Sequence, residues 1–414
     1  MIQASMVDTW AATCSGAFAL TENNLYTLEA FDTYLAHLKQ DGLLAFSRWY
    51  FEFAPAETLR LTALAVESLE RAGVEQPRYH VLLAKADFAM DSGPDGIATL
   101  IIKKTPFTPE EVHKAKEICE WLGFDILCSP DLAAHSSFDC LFDKSRRESF
   151  YRDYPLNIVP PNDDKPFFFH VARIRSFFRT QIEQGYTKYN TKAIVVLGNL
   201  LLVMIALAIL FLLAPLFLLR SLKFRDLMLH WNCLLYFVMI GFGFIMVEIP
   251  LIQQFTLFLG HPIYSLSVIL FSLLLFSSLG SLLTQRAQAS GAYSLVTKAL
   301  AALVLLLLVD MVFLSPIIHR LIAEATWLRI VVSVILIAPL GVLMGMPFPL
   351  GVKLTTSRAQ FLIPWCWCLN GVFSVLASVT SIAVAISFGF TVALAFGTAG
   401  YLLALIMLFA SRPR

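Results

Sequence analysis

The sequence predicts an α-helical polytopic membrane bundle of about seven transmembrane helices, preceded by a smaller, partial α/β segment. Three observations lead there. Of 414 residues, 57% are hydrophobic and 15% charged, with a mean hydropathy of +0.70, whereas soluble domains carry about 25% charged residues. Formal charge is divided. Residues 1–192 hold 20 Lys/Arg against 26 Asp/Glu, net −6, while residues 193–414 hold 11 Lys/Arg against only Asp226, Glu248, Asp310 and Glu324, net +7. Apolar runs long enough to cross a bilayer recur through the second part and are absent from the first.

The first part is read element by element. Residues 1–8 lack the basic start and long apolar stretch of a signal peptide. They read instead as a short buried strand ending at Asp8. After a loop of small residues, Leu25, Leu28, Phe31, Leu35 and Leu38 recur at helical spacing, with Asn23 or Asn24 as the expected cap. Gly42 ends that helix and residues 43–49 form the next strand. Pro55 suits a first helical turn, and the helix it opens runs to Gly73. Residues 78–85 and 96–103 are two strands joined as a hairpin through Asp91, Ser92, Gly93, Pro94 and Asp95. Thr108, Pro109, Glu110 and Glu111 combine an N-cap, an N1 proline and early acids, which start a third helix. Residues 124–128 are a last strand.

Strand, helix, strand, helix and hairpin in that order make the second half of an open, doubly wound sheet. A nucleotide-binding half places a glycine-rich turn after its first strand and an acid after its second. Neither fits before Ile2. The expectation is therefore half of a Rossmann-like domain over 1–130, completed by another chain, a shrunken sheet or sequence upstream. Residues 131–192 are expected to be a linker, and 193–414 the transmembrane domain. The seven cysteines are odd in number and scattered, which suggests neither a disulfide framework nor a metal cluster. Cys366 and Cys368, flanking Trp367, read as small buried hydrophobes.

Four stretches carry a resemblance. Asp8-Thr9-Trp10 and the run from Ala19-Leu20-Thr21-Glu22 to Leu28-Glu29-Ala30-Phe31 resemble the spermidine synthase family, and Lys103-Lys104-Thr105-Pro106-Phe107-Thr108-Pro109-Glu110-Glu111 and Asp163-Asp164-Lys165-Pro166-Phe167-Phe168-Phe169 resemble patterns in its membrane-embedded bacterial relatives. Trp365-Cys366-Trp367-Cys368-Leu369-Asn370-Gly371 resembles a motif of the same relatives. The resemblance covers the C-terminal portion of that architecture. It implies a class I methyltransferase-type fold using S-adenosylmethionine or decarboxylated S-adenosylmethionine, whose glycine-rich binding turn has no counterpart here. By position, Asp8 resembles the base that orients and deprotonates the attacking amine, a task that suits a carboxylate. Tyr26 and Glu29 resemble residues of the acceptor pocket. The chain departs from the family where Ala11 replaces a second acid and the loop lacks a proline, which weakens a site for a polycation.

The second part holds apolar runs at 193–219 and about 228–247, 263–283, 295–315, 328–350, 362–387 and 389–410. The first is 27 residues, enough for a hydrocarbon core of about 30 Å with tilt. Lipid leaves unpaired backbone no partner, so these runs are helices. Lys and Arg near their ends divide seven against eight, which sets no orientation under the positive-inside rule. The resemblance implies a multi-pass protein of the plasma membrane with its soluble segment in the cytoplasm. Glu248 and Asp310 are intramembrane acids, expected at a polar cavity or a partner. The run 340–351, with three glycines and two prolines, is expected to break a helix.

Two functions follow. One is the C-terminal part of a membrane-bound spermidine synthase-like transferase, moving an aminopropyl or methyl group and inactive as this isolated chain. The other is a transporter-like or scaffold bundle with a degenerate methyltransferase-like domain. Expected partners are the lipid bilayer and a polyamine or other small acceptor. Homo-oligomerisation stays open, and no feature calls for nucleic acid.

Overall fold

The protein is described from a computed structural model, which covers residues 1–7, 22–88, 93–132, 136–173, 186–218, 228–287 and 289–411. The chain forms two compact units, Met1–Val196 and Leu197–Arg414, dividing close to the boundary expected from charge and hydropathy.

The first unit is built on a mixed five-stranded sheet. Its elements are β1 (Ile2–Ser5), α1 (Leu28–His37), β2 (Leu43–Tyr50), α2 (Ala56–Arg71), β3 (Val81–Asp87), β4 (Gly96–Lys103), α3 (Pro109–Leu122), β5 (Asp125–Cys128), α4 (Ser136–Phe142) and α5 (Lys144–Asp153). The sheet order is β1-β2-β4-β3-β5. β1 and β2 run parallel, with Ile2 opposite Leu44, as a helical crossover between them requires. The hairpin β3–β4 then folds back so that β4 lies between β2 and β3, antiparallel to both.

Local chemistry explains the boundaries. α3 opens with a complete capping box, Thr108 accepting from the Glu111 N–H while the Glu111 carboxylate accepts from the Thr108 N–H. It ends at Gly123, whose φ of 70° few other residues adopt cheaply. Asn23 does not cap α1. Its side chain serves a short 3-10 turn, Asn24–Tyr26, and Thr27 caps α1 by accepting from the Ala30 N–H. α2 is buried almost all round, packed under β2 and β4. The expected linker carries part of this core: Phe168, Phe169 and Val171 sit in the same hydrophobic cluster as Phe31, Phe46, Leu59 and Leu100.

The second unit is helical: α6 (Tyr186–Leu218, which begins in the first unit), α7 (Trp231–Leu259), α8 (Pro262–Thr284), α9 (Ala289–Leu321), α10 (Thr326–Gly345), α11 (Pro347–Ala359), α12 (Ile363–Phe388) and α13 (Phe390–Ala410). Among the described residues five helical stretches are long and apolar enough to cross a membrane, with mean hydropathy of 2.2 to 2.6. The sequence reading counted about seven. The apolar part of α6 falls at the edge of the described residues as Val195–Phe211, and the runs 328–350 and 362–387 fall within one apolar stretch, Thr326–Phe388, interrupted at Met346 and at the 3-10 turn Gln360–Leu362. α7 is the hub, packing on both α12 and α13. The expected break is present. α10 stops at Gly345 and α11 starts at Pro347.

Cations close several helix ends. The Lys353 ammonium donates to the carbonyls of Thr284, Gln285 and Ala287 at the end of α8, and Arg329 donates to the Phe258 carbonyl at the end of α7.

Candidate functional site

In the first unit, the segment Asn23–Glu29 meets the Asp163–Phe169 run. Tyr26 is fully buried and stacks on Phe168, ring centroids 4.4 Å apart, with Phe169 edge-on at 5.8 Å. Its hydroxyl accepts from Arg48 Nη1 at 3.2 Å. Arg48, in the middle of β2, is itself 0% exposed, paired to Glu57 Oε2 at 2.9 Å, with its guanidinium 4.7 Å from the centre of the Phe169 ring. Glu57 lies in the first turn of α2, where the helix dipole favours an acid.

Glu29 faces the same motif. Its Oε2 accepts from the Asp163 N–H at 2.9 Å, and the Thr27 hydroxyl donates to Asp163 Oδ1 at 2.6 Å. The Asn23 N–H donates to the Pro166 carbonyl at 2.7 Å. From below, Arg60 of α2 gathers four carbonyls, those of Val159, Phe167, Phe168 and His170, at 2.5 to 3.0 Å. Lys165 sits among these groups. Burial, and then the nearby Arg60 charge, hold its ammonium down at about 8. Asp8 lies outside the described residues.

This network clamps residues 157–171 against α1, β2 and α2. Tyr26 and Glu29, expected at an acceptor pocket, are both engaged by the protein itself, Tyr26 by Arg48 and Phe168 and Glu29 by the Asp163 N–H. Arg48, Glu57 and Arg60 were not anticipated. The signal was there in principle, because a lone arginine in the apolar strand Leu43–Tyr50 requires a buried partner.

In the second unit, a cavity of about 350 Å³ adjoins the helix break. Gly241 and Phe244 of α7, Ser277, Ser278 and Ser281 of α8, Gly345, Pro347 and Phe348 at the break, and Asn370 and Ser374 of α12 line it. Asn370 donates to the Phe237 carbonyl, and Ser374 to those of Gly241 and Asn370. Such close approach needs glycine: a Cβ at Gly241 would stand 2.4 Å from the Asn370 carbonyl oxygen. Prolines 347 and 349 also remove the N–H groups that would have served the carbonyls of Leu343 and Gly345, and the Leu343 carbonyl accepts instead from the Met346 N–H. The lining is uncharged and rich in acceptor oxygens, so it suits a ligand that donates hydrogen bonds.

Glu248 and Asp310 line neither this cavity nor one at the start of α7. Glu248 is half-buried on α7, within electrostatic range of Tyr401, whose hydroxyl is enclosed without a hydrogen-bond partner. Asp310 is half-buried on α9, its Oδ2 likewise enclosed and unpartnered. Cys366 is fully buried, as expected of a small hydrophobe, whereas Cys368, expected to be the same, is only half-buried, and the described cysteines are free thiols. Among the described residues no group of three or more His, Cys, Asp or Glu is placed to hold a metal.

No family model, curated protein or solved structure matches this chain.

Proposed function

We propose that this chain is the membrane-anchored, acceptor-side part of a spermidine synthase-like transferase. Such an enzyme moves an aminopropyl or methyl group from an S-adenosylmethionine-type donor to an amine or other small acceptor. In this reading the protein lies in the plasma membrane with seven spans, counting α6 and both apolar runs of Thr326–Phe388, and its first unit faces the cytoplasm. The observation that carries the reading is the meeting of two motifs 136 residues apart. The segment after β1 and the Asp163–Phe169 run resemble the same family independently, and they pack on one another through Thr27–Asp163 and Tyr26–Phe168. The sheet supports it as well. A parallel pair followed by a hairpin tucked back beside it is what the second half of a doubly wound sheet would give.

The donor itself does not fit the described residues. A donor cradle needs a glycine-rich turn leading from a strand into a helix. The link from β2 to α2 contains no glycine, and Gly73 and Gly123, the positive-φ glycines among the described residues of this unit, follow helices. No chemical step is therefore assigned to the donor here. The test is isothermal titration of the detergent-solubilised chain with S-adenosylmethionine, its decarboxylated form and putrescine. The reading expects no donor binding by residues 1–414 alone, and donor binding with group transfer once a glycine-rich strand–turn–helix half is supplied. Micromolar donor binding by the chain alone, or no transfer by the completed sheet, would overturn it.

A second reading, a transporter-like bundle with a degenerate soluble domain, is favoured by the cavity at the helix break. Interrupted helices with freed carbonyls commonly frame transport sites at the bilayer midplane. It expects Asn370→Leu and Ser374→Val to abolish uptake of a donor-bearing solute into proteoliposomes while leaving the fold intact.

A further inference from the structure

The second unit has another cavity, of about 310 Å³, whose walls come from helix ends. The start of α7 supplies His230 and Asn232, the last turn of α11 supplies Arg358, and the end of α13 closes it at Ser411. Leu354, Leu362 and Leu408 make up much of the remaining lining. Where apolar helices end, the surroundings change from hydrocarbon to headgroup, so this cavity has its polar groups at headgroup level and apolar walls beside them.

Its polar lining is biased toward anions. Arg358 is exposed and spends one N–H on the Ser411 carbonyl at 2.8 Å, and among the described residues it has no acidic partner. α7 starts at His230 with no side-chain cap, leaving the positive end of a 29-residue helix at the cavity. Among the described residues, no acid lines the cavity. Asn232 adds the opposite polarity: its amide oxygen is enclosed and has no hydrogen-bond partner, so it can accept from a hydroxyl. A guanidinium beside a helix start with no side-chain cap suits a phosphate. A free acceptor beside them suits an alcohol, and the leucines suit the glycerol and upper acyl carbons of a lipid.

We propose that this cavity binds the headgroup of an anionic, hydroxyl-bearing phospholipid of the phosphatidylglycerol kind. The phosphate sits at Arg358 and the start of α7, and the headgroup hydroxyl donates to Asn232. The proposal rests on the second unit alone and is independent of the transferase reading.

The test uses the full chain purified in detergent. Native mass spectrometry counts retained lipid, and the unfolding temperature is followed with phosphatidylglycerol, phosphatidylcholine or inorganic phosphate added. Phosphatidylglycerol should be retained and should raise the unfolding temperature of the wild type, while phosphatidylcholine and phosphate do neither. Arg358→Gln should weaken phosphatidylglycerol binding about tenfold or more, the size of one charge-assisted hydrogen bond, with partial recovery in Arg358→Lys. Arg286→Gln, which removes a cation elsewhere at a helix end, should leave binding unchanged. Equal binding of phosphatidylcholine, full binding by Arg358→Gln, or stabilisation by phosphate alone would each overturn the lipid assignment.

Discussion

At the residue scale, the Arg48–Glu57 pair shows how a charge is kept inside this protein. Both side chains are almost wholly buried, and Arg48 is held from three sides by Glu57, Tyr26 and the Phe169 ring. Removing one partner strands the other in a medium that cannot solvate it. Arg48→Met should destabilise the first unit by about 3–5 kcal/mol, and the double change Arg48→Met/Glu57→Leu should recover most of that loss. Denaturant unfolding of the solubilised chain, followed by near-ultraviolet circular dichroism, measures both. A double variant no better than the single would show that the pair attracts more than it costs to bury. Lys165 gives a pH dependence of known sign. Folded, it releases its proton near pH 8, and unfolded at the ordinary lysine value of 10.5, so between them the unfolded state binds more protons. Stability contributed by this residue therefore rises with pH across that window, while below it the burial penalty is fully present. The advantage of Lys165→Met over wild type should shrink between about pH 7.5 and pH 10. A constant gap would contradict the shift.

At the element scale, the α8–α10 crossing depends on glycine. A Cβ at Gly280 would lie 2.0 Å from the Val342 carbonyl oxygen, and one at Gly345 would lie 2.0 Å from that of Ser277. Small residues let membrane helices approach until backbone meets backbone. Gly280→Ala and Gly345→Ala should each cost about 1–3 kcal/mol in thermal or sodium dodecyl sulfate unfolding, because backbone must move to admit the methyl. Gly371→Ala on α12 meets nothing within 4 Å and should be neutral or stabilising by up to about 1 kcal/mol through helix propensity. If all three variants behaved alike, the close crossing would be wrong. Much at this scale was legible in advance. The Thr108 capping box, the hairpin and the break at Gly345–Pro347 are local signals that sit within a few residues of their consequence. The insertion of β4 between β2 and β3 was not, because pairing order is a long-range choice. The packing of Phe167–Phe169 was missed for a similar reason. Three aromatics in a row carry no period that says which surface they cover, and only Arg60, about a hundred residues earlier, reveals it.

At the scale of the whole molecule, composition was the strongest guide. The change in charge and hydropathy near residue 192 coincides with the division into two compact units. Glu248 and Asp310, which the sequence placed at a polar cavity or a partner, line neither cavity described, and the uncharged cavity at the break was found only through structure, since serines on α8 and α12 converge from positions about ninety residues apart. Many large apolar side chains of the second unit are exposed, among them Leu202, Leu305, Val312 and Ile335. In water such surface would drive aggregation, whereas in a bilayer it is solvated by acyl chains. The measurement that tests this account most directly is alkaline carbonate extraction of membranes from cells making the full chain, followed by purification with and without detergent. The account predicts that the protein stays in the membrane pellet and requires detergent to remain monodisperse. Release into the carbonate supernatant, with recovery as a stable monomer in detergent-free buffer, would contradict it.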